Sequence, residues 1–285
     1  MTVGNLSDFK AGAFPKARAS RPLKLVRLGL WVALPWLLPT GLLGLWMLGL
    51  ERGWVQPYQL PAPLTVLATF FDLLSRGELI RHLGATLNRL LAGYLLGATP
   101  GVLLGLLAGS SVGFRRFLDP MVQGLRAVPS LAWVPLFLLW FGIGEQARVY
   151  LIALGAFLPV YLNTMAAVGS VDRKLIEVAQ AYDFGRLKVL FRVVLPGAMP
   201  GVFTGLRAGL SLAWMFVVAA ELIAASNGLG FMLVEGQSTM RPDRVLVSLL
   251  AFAIFGRGSD TLLATLERRL LVWRDTLATT QEGRP

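Results

Sequence analysis

Two ionisable residues, Arg207 and Glu221, stand inside long apolar stretches of a 285-residue chain, and a charge at membrane depth is a functional candidate by default. They lie 14 residues apart, roughly 21 Å of helix, so they cannot pair within one helix. Arg207 follows Pro196 by about 11 residues, near enough to the end of its apolar run for the guanidinium to snorkel to an interface. That structural role stands ahead of contact with an anionic substrate. Glu221 needs a partner from another helix, a second subunit or a docked protein. Trp133 and Trp140, in the run WVPLFLLW, could line a path, although aromatics near span ends more often serve as interfacial anchors.

The remaining reactive repertoire is thin. The chain has no cysteine, which removes disulfides, thiolate nucleophiles and Cys-based metal sites together. Its one histidine, His82, leaves no cluster to hold zinc and reads as an ordinary surface residue near an outer interface. A GxxxxGK[ST] phosphate loop is absent, and no acidic residue stands in a recognisable Mg-ATP context. A membrane-bound transferase would need a nucleophile with a base, or a metal. A self-sufficient channel or proton-coupled carrier would need a polar pore stripe or several carboxylates in its spans, and neither is evident. The expectation is therefore no catalytic residue, no metal site and no cofactor in this chain.

The elements that position these groups are membrane helices. With 55% hydrophobic and 15% charged residues and a positive mean hydropathy, the chain reads as an all-α, polytopic membrane protein. Its net charge of +11 suits anionic lipid and cytoplasmic loops, and no basic patch interleaved with stacking aromatics points to nucleic acid. Six spans are expected: Leu28 to Leu50, with a kink where Pro35 and Pro39 remove donors; Leu90 to Phe114; the run AVPSLAWVPLFLLWFGIG ending at Gly144; Val149 to Val171; Gly201 to Ala225; and Val245 to about Leu263. Leu67, Phe70, Phe71 and Leu74 predict a short amphipathic helix at the outer interface. In the second span, Gly93, Gly97, Gly101, Gly105 and Gly109 recur every fourth residue and favour close helix packing.

With a cytoplasmic N-terminus, the inner segments hold 18 Lys and Arg and the outer ones 7, so both termini are assigned to the cytoplasm. The domain reading is a basic N-terminal tail over residues 1–27, its first 20 or so residues disordered, a membrane domain over 28–270, and a cytoplasmic tail over 271–285. Residues 172–200 then form a cytoplasmic loop. Asp172 caps a helix starting at Arg173, with Leu175, Ile176, Ala179 and Tyr182 on one side. Asp183-Phe184-Gly185 breaks it, because Asp tolerates and Gly favours left-handed backbone, and a second helical stretch runs from Arg186 to Val194 before Leu195-Pro196, where the proline ends one helix or begins the next. Such a helix is either a lever into the spans at both ends or a simple connection.

The stretch EVAQAYDFGRLKVLFRVVLP, Glu177 to Pro196, resembles the EAA loop of the inner-membrane subunits of ABC importers. Glu177, Ala179, Val193, Leu195 and Pro196 match that pattern. Val178 replaces its middle alanine, and Asp183 stands at its usual glycine with Gly185 two residues on; Asp can adopt the same left-handed turn. The segments LRAVPSLAWVPLFLLWFGIGE, FLPVYLNT, LPGAMPGVFTGLRAGLSLAW and VAAELIAASNGLGFML extend the resemblance over roughly residues 28–275, to permeases of the aliphatic sulfonate, taurine and nitrate importers, the sulfonate type above all.

That resemblance implies a type I ABC importer permease fold in the bacterial inner membrane, usually as two identical permease subunits. It also implies two cytoplasmic ATPase subunits carrying ATP and Mg, and a periplasmic substrate-binding protein that holds most of the substrate recognition. The loop, through Glu177, Ala179, Asp183, Gly185, Leu195 and Pro196, would sit in a cleft of the ATPase and transmit its closure to the spans. Arg207, Trp133, Trp140 and Glu221 are the substrate-path candidates, and the segment with Gly228 and Gly230 an outer docking surface.

Overall fold

A computed structural model describes residues 21–129 and 132–273, and every regular element among them is a helix. The expected disorder of the first 20 residues and nearly all of the 271–285 tail lie outside the described residues. The chain divides into two compact units, Met1–Gln56 and Pro57–Pro285. The first is built on α1 (Arg21–Glu51), which stays helical through Pro35 and Pro39. From Trp36 onward α1 exposes Trp36, Leu38, Leu42, Leu45 and Met47, an apolar surface on most sides suited to lipid or other protein.

The second unit contains α2 (Pro63–Ser75), α3 (Glu78–Ser110), α4 (Val112–Ala127), α5 (Trp133–Phe141), α6 (Glu145–Gly169), α7 (Arg173–Ala181), α8 (Arg186–Val189), α9 (Leu195–Ala224), α10 (Leu229–Ser238) and α11 (Pro242–Leu270). Helix α6 is its centre, packed between α3 and α9. The glycine stripe of α3 forms one seam. A Cβ on Gly93 would come within 2.6 Å of Ile152, one on Gly105 within 2.7 Å of Thr164, and one on Gly97 would collide with the Ala153 carbonyl. A second glycine stripe forms the other seam: Cβ atoms on Gly205 and Gly209 of α9 would approach Asn163 and Val160 to 2.8 and 2.7 Å. Hydrocarbon supplies no hydrophobic drive between helices, so backbone approach of this kind is what holds α3, α6 and α9 together.

Several boundaries differ from expectation. Among the described residues four helical stretches are long and apolar enough to cross a membrane: Glu78–Ser110, Glu145–Gly169, Arg186–Ile223 and Pro242–Leu270. The second expected span begins 12 residues early, at Glu78 instead of Leu90, because two of the charges in that stretch, Glu78 and Arg89, are paired inside the protein. The third is not one helix. Pro129 disfavours helical backbone at Val128, which is extended (φ −77°, ψ 126°), and only the nine-residue α5 follows. Helix α2 forms as expected but turned by about one residue: Val66 and Leu73 are buried, and Leu67, Phe71 and Leu74 face outward. Thr69, on the buried side, donates to Asp243 Oδ2 of α11 at 2.8 Å.

Candidate functional site

The loop between α6 and α9 begins as expected. Asp172 caps α7 by accepting from the Lys174 N–H at 2.9 Å. The anticipated single apolar face divides in two. Ala179 is buried, and Ile176 packs with it toward Ala167, Val168, Val194 and Ala198; Leu175, Val178 and Tyr182 point away, 55%, 56% and 75% exposed. Glu177 is exposed beside that outer stripe. Asp183 is left-handed (φ 54°), with its N–H donating to Gln180 O at 2.9 Å and the Phe184 N–H to Ala179 O at 3.1 Å, which closes the end of α7 in the manner usually given to glycine. Gly185 is not the left-handed residue; it is extended (φ −61°, ψ 158°) and precedes α8.

Leu195-Pro196 does not break the chain into two helices. Residues Leu190–Val194 form a π turn leading directly into α9, with Pro196 in the first turn of α9 and the Leu195 N–H donating to Leu190 O. A proline lacks its N–H and crowds the preceding turn, and the wider π turn accommodates both without ending the helix. The expected loop of 172–200 is thus shorter, and α7 is followed by one helical column from Arg186 to Ile223. An open groove of ≈ 500 Å³ beside α7 is lined by Val178, Tyr182, Phe184, Arg192, Pro196 and Trp273.

At the other end of α9, about 45 Å away at 1.5 Å per residue, lies a buried polar hub. Arg89 of α3, 4% exposed, donates from Nη1 to Glu221 Oε1 at 2.6 Å and to Asn227 O at 2.7 Å, and from Nε and Nη2 to Glu145 at 2.6 and 2.7 Å. It also bonds the Asn227 side chain. Glu221, 1% exposed, accepts further from Thr86 Oγ1 at 2.9 Å and the Gly230 N–H at 2.8 Å. His82 is part of this hub and not an ordinary surface residue: it is 3% exposed, accepts from the Gly228 N–H through Nδ1 at 3.1 Å and stacks on Phe231. Gly228 (φ 116°) and Gly230 are required here, since a Cβ on either would run into Glu221. The hub ties α3, α6, α9 and the start of α10 together, and Glu221 is thereby a structural partner of Arg89.

Arg207 does not simply snorkel. It forms a two-pronged pair with Asp260 of α11, Nε to Oδ1 at 2.9 Å and Nη2 to Oδ2 at 3.1 Å, with Glu267 3.6 Å from Nη1. Trp133 is half-buried against the core around Leu90 and Trp214, and Trp140 is 60% exposed, so the two aromatics do not share one surface role. The four path candidates are not brought together: Glu221 belongs to the hub, Arg207 to the α9–α11 pair, and the tryptophans to α5.

Comparison with known proteins adds the context. The profile of the family described as binding-protein-dependent transport system inner membrane component matches residues 101–272. The aliphatic sulfonates transport permease protein of Bacillus subtilis (strain 168) is 40% identical over 269 residues, 93% of this chain and 97% of that protein. The taurine transport system permease protein of Escherichia coli (strain K12) is 38% identical over 224 residues, 77% of this chain and 82% of that one. A solved chain of the MetNI methionine ABC transporter, in an inward-facing form, shares the fold with a TM-score of 0.60 at 20% identity over 67% of this chain and 95% of that chain.

Proposed function

Because this chain belongs to the family of binding-protein-dependent transport system inner membrane components, we propose that it is the membrane-spanning subunit of an ATP-driven importer of aliphatic sulfonates. It acts as a pair of copies, with six crossings per copy and both termini in the cytoplasm of a bacterial inner membrane. Two cytoplasmic ATPase subunits bind and hydrolyse Mg-ATP, and a periplasmic binding protein delivers the substrate.

The observation that carries this reading is the outward stripe of Leu175, Val178 and Tyr182 on a short helix tied to a rigid column. Three exposed apolar side chains on the cytoplasmic side of a membrane protein suit a protein partner, and the column beneath them suits transmission of its movement. The likeness to the B. subtilis permease supports sulfonate as the cargo, and taurine, nitrate or a related small anion is the alternative within the same mechanism.

Reconstitution with the neighbouring ATPase and binding protein tests it. Labelled alkanesulfonate should enter vesicles only with ATP, and Val178→Asp with Tyr182→Asp should release the ATPase on affinity purification and abolish uptake. Uptake without any ATPase would overturn the importer reading; uptake of taurine or nitrate alone would overturn only the cargo.

A further inference from the structure

Helix α11 carries an exposed arginine at the end of its uncharged run. Arg257 follows residues 245–256 and lies six residues, roughly 9 Å, before the expected inner end of the span at Leu263, and its side chain is 80% exposed. Its neighbours decide what the guanidinium can meet. Asp260, one turn on, is already held by the two-pronged pair with Arg207, and Arg257 reaches it only at 3.5 Å. Arg207, Arg257 and Arg268 share an open cleft of ≈ 480 Å³ with Asp260 and Glu267, three positive charges against two negative. The cleft therefore has one positive charge in excess, and Arg257, 80% exposed, is more open than Arg207 at 40%.

A second hollow, of ≈ 290 Å³, lies one helical turn further along both helices and has the opposite character. Ser211, Trp214, Met215, Val218, Phe252 and Gly256 line it. Ser211 follows Arg207 by four residues on α9, and Gly256 precedes Asp260 by four on α11, so each hollow adjoins the other on both walls. The wall between them is fixed, since Trp214 Nε1 donates to Ser259 Oγ at 2.9 Å and Ser211 Oγ to Arg207 O at 3.1 Å. An apolar pocket beside a cationic cleft matches a molecule with a short alkyl chain and an anionic head.

The geometry points to the α9–α11 groove as a cargo site for small amphiphilic anions, with the head group on Arg257 and the alkyl chain against Trp214 and Phe252. This rests on the importer reading for its cargo, alkanesulfonates, and adds a site and a residue to it. Asp260 and Glu267 hold Arg207 in place and leave Arg257 to meet the ligand, so binding stays weak enough for release.

The test measures equilibrium binding of labelled butanesulfonate and methanesulfonate to the purified full-length permease, alongside ATP-driven uptake by the reconstituted complex in phosphatidylcholine vesicles. Arg257→Gln should weaken binding by about tenfold, the scale of losing one charge-assisted contact, while Arg257→Lys restores most of it. Gly256→Leu places its side chain in open space and should remove the preference for butane- over methanesulfonate without weakening the shorter ligand. Equal binding by wild type and Arg257→Gln, or no saturable binding by wild type, would overturn the site even if ATP-driven uptake is intact. Conversion of Arg257→Gln from dimer to monomer on size exclusion would overturn it too, by assigning Arg257 to the contact with a second copy. Saturable, Arg257-dependent binding without ATP-driven uptake would support the site and defeat the importer reading instead.

Discussion

Replacing Glu221 with glutamine while Arg89 remains would leave a guanidinium 4% exposed with one counter-charge fewer, and breaking a buried pair from one side costs about 3–5 kcal/mol. Glu221→Gln should accordingly lower the detergent melting temperature well below that of Glu145→Gln, because the Glu145 carboxylate is 58% exposed and water replaces much of what it loses. The double variant Arg89→Met/Glu221→Met should recover most of the loss of Glu221→Met alone, and thermal melts of the four proteins in the cycle measure the coupling. If the melts are additive, the hub is not an energetic unit. Part of it was legible in the chain: His82, Thr86 and Arg89 precede Gly93 at spacings of four, three and four, so the polar residues continue the glycine stripe onto the same face of α3. The expected start of the span at Leu90 left these three residues outside the helix. The partners Glu145 and Asn227 carry no such signal, since they reach Arg89 from two other segments that only the packed fold brings near.

At the scale of elements, periodicity and capping located α2 and α7 well, because each begins at a recognisable punctuation, Pro63 and Asp172, whereas α6 begins at Glu145, four residues before the expected Val149, because Glu145 and Arg148 are paired within the protein. The two prolines act differently. Pro129, near the start of an apolar run that looked like a full span, keeps that run from joining α4, whereas Pro196 begins α9, as one of its two readings had it, and the π turn before it keeps the column continuous. Whether a proline breaks a helix depends on what the preceding turn can do, and sequence alone does not state that. The continuity matters mechanically, since the column from Arg186 to Ile223 is what would carry movement of α7 into the membrane. Inserting two glycines between Val194 and Leu195 softens that join and leaves the exposed stripe on α7 unchanged. The ATPase should still co-purify, while ATP-driven uptake falls by about an order of magnitude, as expected when a transmitting element loses its rigidity and its contacts remain. Loss of ATPase binding in the insertion variant would mean that the join shapes the docking surface itself.

For the whole molecule, the lack of cysteine makes orientation directly measurable, because any introduced thiol is the only one present. Tyr182 and Met240 suit the measurement: they are 75% and 77% exposed, and α9 separates the segments that carry them. The excess of Lys and Arg around α7 predicts Tyr182 inside and Met240, between α10 and α11, outside. In intact cells, a membrane-impermeant maleimide should therefore modify Met240→Cys and leave Tyr182→Cys untouched until the membrane is opened. Reversed labelling would invert the protein and put the α7 stripe out of reach of a cytoplasmic ATPase. Labelling of both from one side would require an even number of crossings between the two positions, which a single passage of the Arg186–Ile223 column does not allow. The experiment thus decides at once whether charge asymmetry, helix topology and the proposed direction of coupling describe the same molecule.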